Sequence, residues 1–218
     1  MITIFETADG SQTLKNNDIG ESYHSTHGAI QESMYVYIKH GLQLAAVKKS
    51  KIRVFELGFG TGLNALLTLR EVLENTDLEV EYFCIEPFPL KETIYHQLIY
   101  PKENERDYFI QMHQSVHDKN INIHERFSFL KMEIKFEDFQ DFNGFDLVYY
   151  DAFGPTSQPE LWHLDALRKS SNMMNSEGIW VTYCSKGEVR RGLVSLGMNA
   201  VRLAGPPGKR HMIFATKP

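Results

Sequence analysis

A chain of 218 residues is one ordinary domain, long enough to bury a full core without disulfide or metal staples. Its 42% hydrophobic and 23% charged residues exclude a disordered chain, and no apolar run approaches the ~18 residues of a membrane span. A net charge of −5 argues against a general nucleic-acid coating protein but leaves room for a local basic patch.

Residues 1–6 lack a basic segment, so no secretory leader is expected. Residues 2–7 read as a strand, Asp9-Gly10 as a tight turn and 11–15 as a return strand. Apolar residues at Ala29, Ile30, Met34, Val36, Tyr37, Leu42 and Leu44 predict a helix over about 27–47, with Ser25 or Thr26 as its cap. A new rhythm begins at Lys51. Strands are predicted at 52–57, 80–85, 133–136, 145–150 and 178–184, and helices at 64–73, 90 to about 115, 160–171 and 187–196. This alternation predicts an α/β fold, a parallel sheet with helices on both faces. Two final strands, 198–203 and 211–216, close it with an antiparallel edge. The chain thus divides into a hairpin-and-helix extension, 1–50, and a main domain, 51–218. Cys84 and Cys184 sit in apolar runs far apart and read as buried thiols of a reducing, cytoplasmic compartment. No CxxC or paired-histidine spacing predicts a metal. His96, His113, His117 and His124 are expected on surfaces.

The segment Glu56-Leu57-Gly58-Phe59-Gly60-Thr61-Gly62-Leu63-Asn64 joins a predicted strand to a predicted helix. Its glycines let backbone approach a ligand closely. The dinucleotide fingerprint G-x-G-x-x-G needs a glycine where Leu63 stands, which weakens a nicotinamide reading. The segment instead resembles the loop of class I S-adenosylmethionine-dependent methyltransferases. That resemblance implies a Rossmann-like class I fold with S-adenosylmethionine as cofactor. It places Glu56, Gly58, Gly60, Gly62 and Asn64 at the methionine part and ribose. Glu86 ends the next strand, where a carboxylate can accept hydrogen bonds from two ribose hydroxyls. The same resemblance puts an acidic adenine contact after the third strand, at Asp138. Asp151 leaves the fourth strand at the carboxyl edge of the sheet, where it can orient an incoming amine and accept its proton.

Further motifs narrow the resemblance. Asp9-Gly10-Ser11-x-Thr13-Leu14 and Glu21-Ser22-Tyr23-His24-Ser25-x-x-Gly28-Ala29-x-Gln31-Glu32-Ser33 resemble the start of the tRNA wobble-uridine methyltransferase family. Asp151-Ala152-Phe153-Gly154-Pro155 with Gln158-Pro159-Glu160-Leu161-Trp162 is similar to that family's motif after the fourth strand. So are Val189-Arg190-Arg191-Gly192-Leu193 and Gly208-Lys209-Arg210-His211-Met212 to its closing motifs. One position departs: Ala152 stands where the family often has Gly. The resemblance implies methyl transfer to the primary amine of 5-aminomethyl-(2-thio)uridine at position 34, with the tRNA anticodon region as partner and no membrane. It places Tyr23 and His24 at the cofactor or uridine pocket. Many members carry a fused FAD-dependent oxidoreductase domain, so this chain is expected to be the stand-alone methyltransferase form. A functional link to the enzymes that install the aminomethyl group is then expected.

Phe153 and Trp162, with Tyr149, read either as stacking platforms for a flipped-out base or as core. Lys186, Arg190, Arg191, Arg202, Lys209 and Arg210 gather near the carboxyl terminus with Glu188 the single acid from Lys186 onward, a candidate phosphate-binding face. The alternatives are an aminopropyltransferase of the spermidine-synthase type and a small-molecule amine N-methyltransferase. The basic carboxyl-terminal segment argues against a polyamine substrate.

Overall fold

The computed structural model describes residues 1–140 and 142–218. Strands β4 (Lys51–Leu57), β5 (Glu79–Ile85), β7 (Phe127–Met132), β8 (Phe145–Tyr150) and β9 (Met174–Thr182) pair in parallel. Strands β6 (Ile121–His124), β10 (Asn199–Ala204) and β11 (His211–Thr216) join antiparallel, giving the order β10-β11-β9-β8-β4-β5-β7-β6. The order reverses at β4, whose neighbours are β5 and β8. A ligand crevice is expected outside the carboxyl ends of those strands.

Period-2 alternation explains why the sheet is covered on both sides. Val54, Val80, Tyr82, Tyr149 and Val181 face one apolar layer, while Phe55, Leu57, Ile85, Tyr150 and Trp180 face the other. On the first face lies α3 (Leu63–Glu74), buried along most of its length. Beside it, directly on β8 and β9, lies a helical run made of α1 (Ala29–Ser33), a π-helical stretch (Met34–Leu42) and α2 (Gln43–Ala46). Short helix α4 (Glu92–Tyr95) and α5 (Arg106–Gln114) share that face. Helices α6 (Leu164–Asn172) and α7 (Gly187–Ser195) cover the second face. Leu14, Val36, Tyr37, Ile38 and Leu42 belong to the same core as β4 and β5, so the amino-terminal segment is built into the main body.

Three expectations need correction. Residues 133–136 are not the third strand. β7 occupies Phe127–Met132 beside the hairpin strand β6, and Phe136–Asp138 is a 3₁₀ turn. Lys131 disguised the strand: it is buried, and its ammonium donates to the carbonyls of Met112 (3.0 Å) and His113 (2.6 Å). The first turn does fall at Asp9-Gly10, where the Gly10 N–H donates to the Thr7 carbonyl at 2.9 Å, inside a loop longer than two residues. β1 (Ile2–Glu6) and β2 (Gln12–Asn16) are joined by residues 7–11, closed by the Thr7 N–H on the Ser11 carbonyl at 2.7 Å. That longer loop caps the first helix. The N–H groups of Ala29 and Ile30 donate to Ser11 Oγ at 3.1 and 3.3 Å, and the Gln31 N–H donates to Asp9 Oδ2 at 3.0 Å. The cap therefore comes from the hairpin tip and not from Ser25 or Thr26. Finally, His113 is buried, with Nε2 3.1 Å from the Thr61 carbonyl.

Candidate functional site

A cleft of about 500 Å³ opens at the carboxyl ends of β4, β5 and β8. Its floor begins with the glycine loop. Gly58, Gly60 and Gly62 have φ of +93°, +51° and +75°, values that a side chain would strain. A Cβ on Gly58 would fall 2.9 Å from the Asp151 carbonyl oxygen, so only glycine lets this loop pass the end of β8. Gly58 and Gly60 line the cleft. Gly62 instead begins α3 behind it, against the Phe59 ring.

Glu86 follows β5 and lines the same cleft. Its Oε2 accepts the Gly60 N–H at 2.8 Å and its Oε1 accepts the Phe88 N–H at 2.9 Å. Burial pushes this carboxyl above its ordinary pKa, opposed by the two N–H groups. Each oxygen keeps a lone pair for a further donor.

Asp151 follows β8 at the other side of the floor. The Tyr37 hydroxyl donates to Oδ1 at 2.5 Å and Asn64 Nδ2 donates to Oδ2 at 2.8 Å. Burial pushes the Asp151 carboxyl up to about 7 and Glu32 adds to the rise, while Tyr37, Asn64 and Lys209 oppose it. Asn64 Nδ2 also donates to Glu56 Oε1 at 2.9 Å. Glu56 is therefore one layer below the cleft, in the core, where burial pushes its carboxyl well above the usual range. Asn64 itself lines the cleft, and its Oδ1 has no hydrogen-bond partner among the described residues.

Tyr23 and His24 also line the cleft. Burial and Glu86 push the Tyr23 phenol up to about 12. His24 Nδ1 shares a 3.0 Å hydrogen bond with Thr13 Oγ1, and burial pushes the imidazole down to about 4, so it stays neutral near pH 7. Phe153 lines the cleft, edge-on to Tyr23 with centroids 5.0 Å apart. Trp162 does not: it is buried, and its Nε1 donates to the Phe153 carbonyl at 2.8 Å, supporting the loop from behind. Tyr149 is core. Asp138 is exposed and outside the cleft lining, whereas its neighbour Glu137 is part of it.

The basic residues separate into two sets. Arg191, Arg202 and Arg210 are exposed and Arg190 is half-buried. The guanidinium groups of Arg191 and Arg202 converge over Gly187, at the start of α7. Lys186 reaches Thr156 Oγ1 at 3.5 Å, which ties this face to the loop bordering the cleft. Lys209 points inward instead. It pairs with the buried Glu32 carboxylate and lies 4.1 Å from the Tyr183 ring centroid.

Two site residues escaped the sequence. Tyr37 looked like one more apolar position of a helix. Phe88 is 74% exposed at the cleft wall, and its signal was its place two residues after Glu86.

Residues 100–218 match the family model described as S-adenosyl-L-methionine-dependent methyltransferase. The crystal structure of MnmC2 from Aquifex aeolicus superposes with a TM-score of 0.84 at 31% identity, over 100% of this chain and 72% of that one. The chain belongs to this methyltransferase family. An uncharacterized Methanocaldococcus jannaschii protein is 30% identical over 98% of this chain and 59% of the relative. The Nitrosospira multiformis tRNA 5-methylaminomethyl-2-thiouridine biosynthesis bifunctional protein MnmC is 27% identical over 94% of this chain. The methyltransferase spans 35% of that bifunctional relative. S-adenosylmethionine is the cofactor of the family, and the cleft suits it: a side-chain-free glycine cradle, a carboxylate at the end of β5, and an unpartnered Asn64 Oδ1 in the lining. Among the described residues no helix is long and apolar enough to cross a membrane.

Proposed function

We propose that this methyltransferase acts on the primary amine of 5-aminomethyl-(2-thio)uridine at the wobble position of tRNA, giving the methylaminomethyl nucleoside. The observation that carries the proposal is the Asp151 carboxyl, oriented by two donors at the floor of a nucleoside-sized cleft and titrating near 7. In water a primary alkylamine is an ammonium, without a lone pair to attack. A buried carboxylate attracts that ammonium, accepts one proton and leaves the nitrogen lone pair free to form the new N–C bond. When bound, S-adenosylmethionine supplies a methyl group on a sulfonium, whose sulfur leaves as a neutral thioether.

The other residues bind and position. Glu86 would take the ribose hydroxyls, and the Gly58–Gly60 backbone and Asn64 the methionine end. Holding both reactants in line can supply about 7–11 kcal/mol of the barrier. Phe153 and Phe88 offer aromatic surface for a base that has left the anticodon stack, an exit costing a few kcal/mol. Arg190, Arg191, Arg202 and Arg210 would meet phosphates of the tRNA backbone. The bifunctional relatives' names point to this substrate class, and a cytoplasmic setting agrees with it.

Nucleoside analysis tests the proposal. Purified protein, S-adenosylmethionine and tRNA bearing the aminomethyl group should yield the methylaminomethyl nucleoside. Turnover with a diamine and the decarboxylated cofactor, and none with tRNA, would overturn it.

A further inference from the structure

The helical run over the first face of the sheet is wound wide. From Met34 to Leu42 it is π-helical, a form often found at functional sites. Packing holds this stretch hard against the sheet. A Cβ on Gly41 would meet Tyr149 Cε1 at 3.0 Å and both Leu147 Cδ1 and Val181 Cγ2 at 3.3 Å. The backbone at Gly41 thus rides directly on β8 and β9. Tyr37, four residues earlier, is 1% exposed, with its ring 5.1 Å from that of Tyr149. A buried phenol needs a partner for its hydroxyl. Here the partner is the Asp151 carboxylate, 114 positions along the chain.

We propose that Tyr37 is a positioning residue for methyl transfer, its hydroxyl fixing Asp151 Oδ1 while Asn64 fixes Oδ2, so that the carboxylate meets the acceptor nitrogen in a single orientation. The inference rests on the reading of Asp151 as the proton acceptor. Burial, with the Asp151 charge, pushes the Tyr37 phenol well above its ordinary range, so it remains a donor throughout the working pH range. A donor favours the ionised carboxylate over its protonated form. The other groups facing Asp151 are Glu32 from α1, Glu56 from β4, Tyr183 after β9 and Lys209 from the β10–β11 turn. Among the described residues, Tyr37 and Asn64 are the two side chains that hydrogen-bond it. Removing Tyr37's hydroxyl therefore makes the carboxyl harder to ionise, although the ring and its packing stay.

The experiment compares the wild-type protein with Tyr37→Phe, Asp151→Asn and the double variant. Tyr37→Phe is expected to slow single-turnover methylation near pH 7 by about tenfold or more, with S-adenosylmethionine affinity within about twofold. The acidic limb of its pH–rate profile should move up by about one to two pH units, so that higher pH rescues it. The double variant should be no slower than Asp151→Asn. A readout without cofactor accompanies these. The melting-temperature gap between Tyr37→Phe and the double variant should titrate at higher pH than the gap between wild type and Asp151→Asn. Gly41→Ala, which presses the helix away from Tyr149, should move the same limb in the same direction. An unchanged rate and limb in Tyr37→Phe, with Asp151→Asn slow, overturns the role of Tyr37 and leaves Asp151 standing. Additive losses in the double variant overturn it too. A near-native rate in Asp151→Asn overturns both readings.

Discussion

Asp151→Asn separates what the fold loses from what the reaction gains by keeping a carboxyl in a dry place. The side chain is held near 7 in the folded protein, against 3.8 for an ordinary aspartate. Below pH 4 folded and unfolded chains both carry the proton, and the site is neutral in its effect on stability. Between about 4 and 7 the unfolded chain releases the proton while the folded chain retains it, so rising pH favours unfolding. Above 7 the full cost is present, at most about 4 kcal/mol from 1.36 kcal/mol per pH unit. Asparagine keeps the shape and removes the charge. The variant should therefore melt higher than wild type at pH 8, by at most about 8–16 °C at about 2–4 °C per kcal/mol for a chain of this length, and the advantage should vanish near pH 4. Its methyl-transfer rate should fall about 10²–10⁴-fold at neutral pH, with partial recovery as alkaline solution delivers neutral amine. Scanning calorimetry across pH and single-turnover methylation of substrate tRNA measure the two effects. Equal melting temperatures at pH 4 and pH 8, with a near-native rate, would refute the reasoning. A slow variant without alkaline recovery would show that Asp151 positions the amine and does not take its proton.

Glu86→Ala should weaken S-adenosylmethionine binding by roughly 10- to 150-fold, the loss of a charge-assisted contact of about 1.5–3 kcal/mol, with the fold intact. Calorimetric titration checks this, and unchanged affinity removes the ribose assignment. Replacing Arg190, Arg191, Arg202 and Arg210 by Ala should weaken tRNA binding and flatten its log–log salt dependence by about 0.7–0.9 per lost phosphate contact, with cofactor affinity unchanged. Lys209→Ala should leave that salt slope alone and lower the melting temperature, because Glu32 then loses its buried cation. Ser11→Ala should cost about 0.5–2 kcal/mol of stability in urea unfolding, since Ala29 and Ile30 lose their cap.

Sequence alone determined the parts of this protein whose physics is local. The glycine loop was legible because three glycines between a strand pattern and a helix pattern describe a backbone that needs left-handed turns and open space. Glu86 and Asp151 were legible because each ends an apolar run of strand length, where the carboxyl edge of a parallel sheet must lie. The alternation that buries Phe55 on one face and Val54 on the other is written in successive residues. Tertiary structure decided everything that depends on partners distant in the chain. β7 could not be read through Lys131, because the carbonyls that satisfy its ammonium belong to Met112 and His113. Asp9 and Ser11 announced a turn, but that they cap a helix beginning at Ala29 required the hairpin to fold over it. Glu56 and Gly62 carry the motif yet lie behind the cleft, since alternate positions of a strand and of the loop face opposite ways. Lys209 left the basic set because Glu32, far earlier in the chain, was waiting in the core. Tyr37 became part of the site because a wide helical turn and a bare glycine at 41 bring its hydroxyl to Asp151. Periodicity reports which face a residue turns inward, but only the packed fold supplies what it meets there.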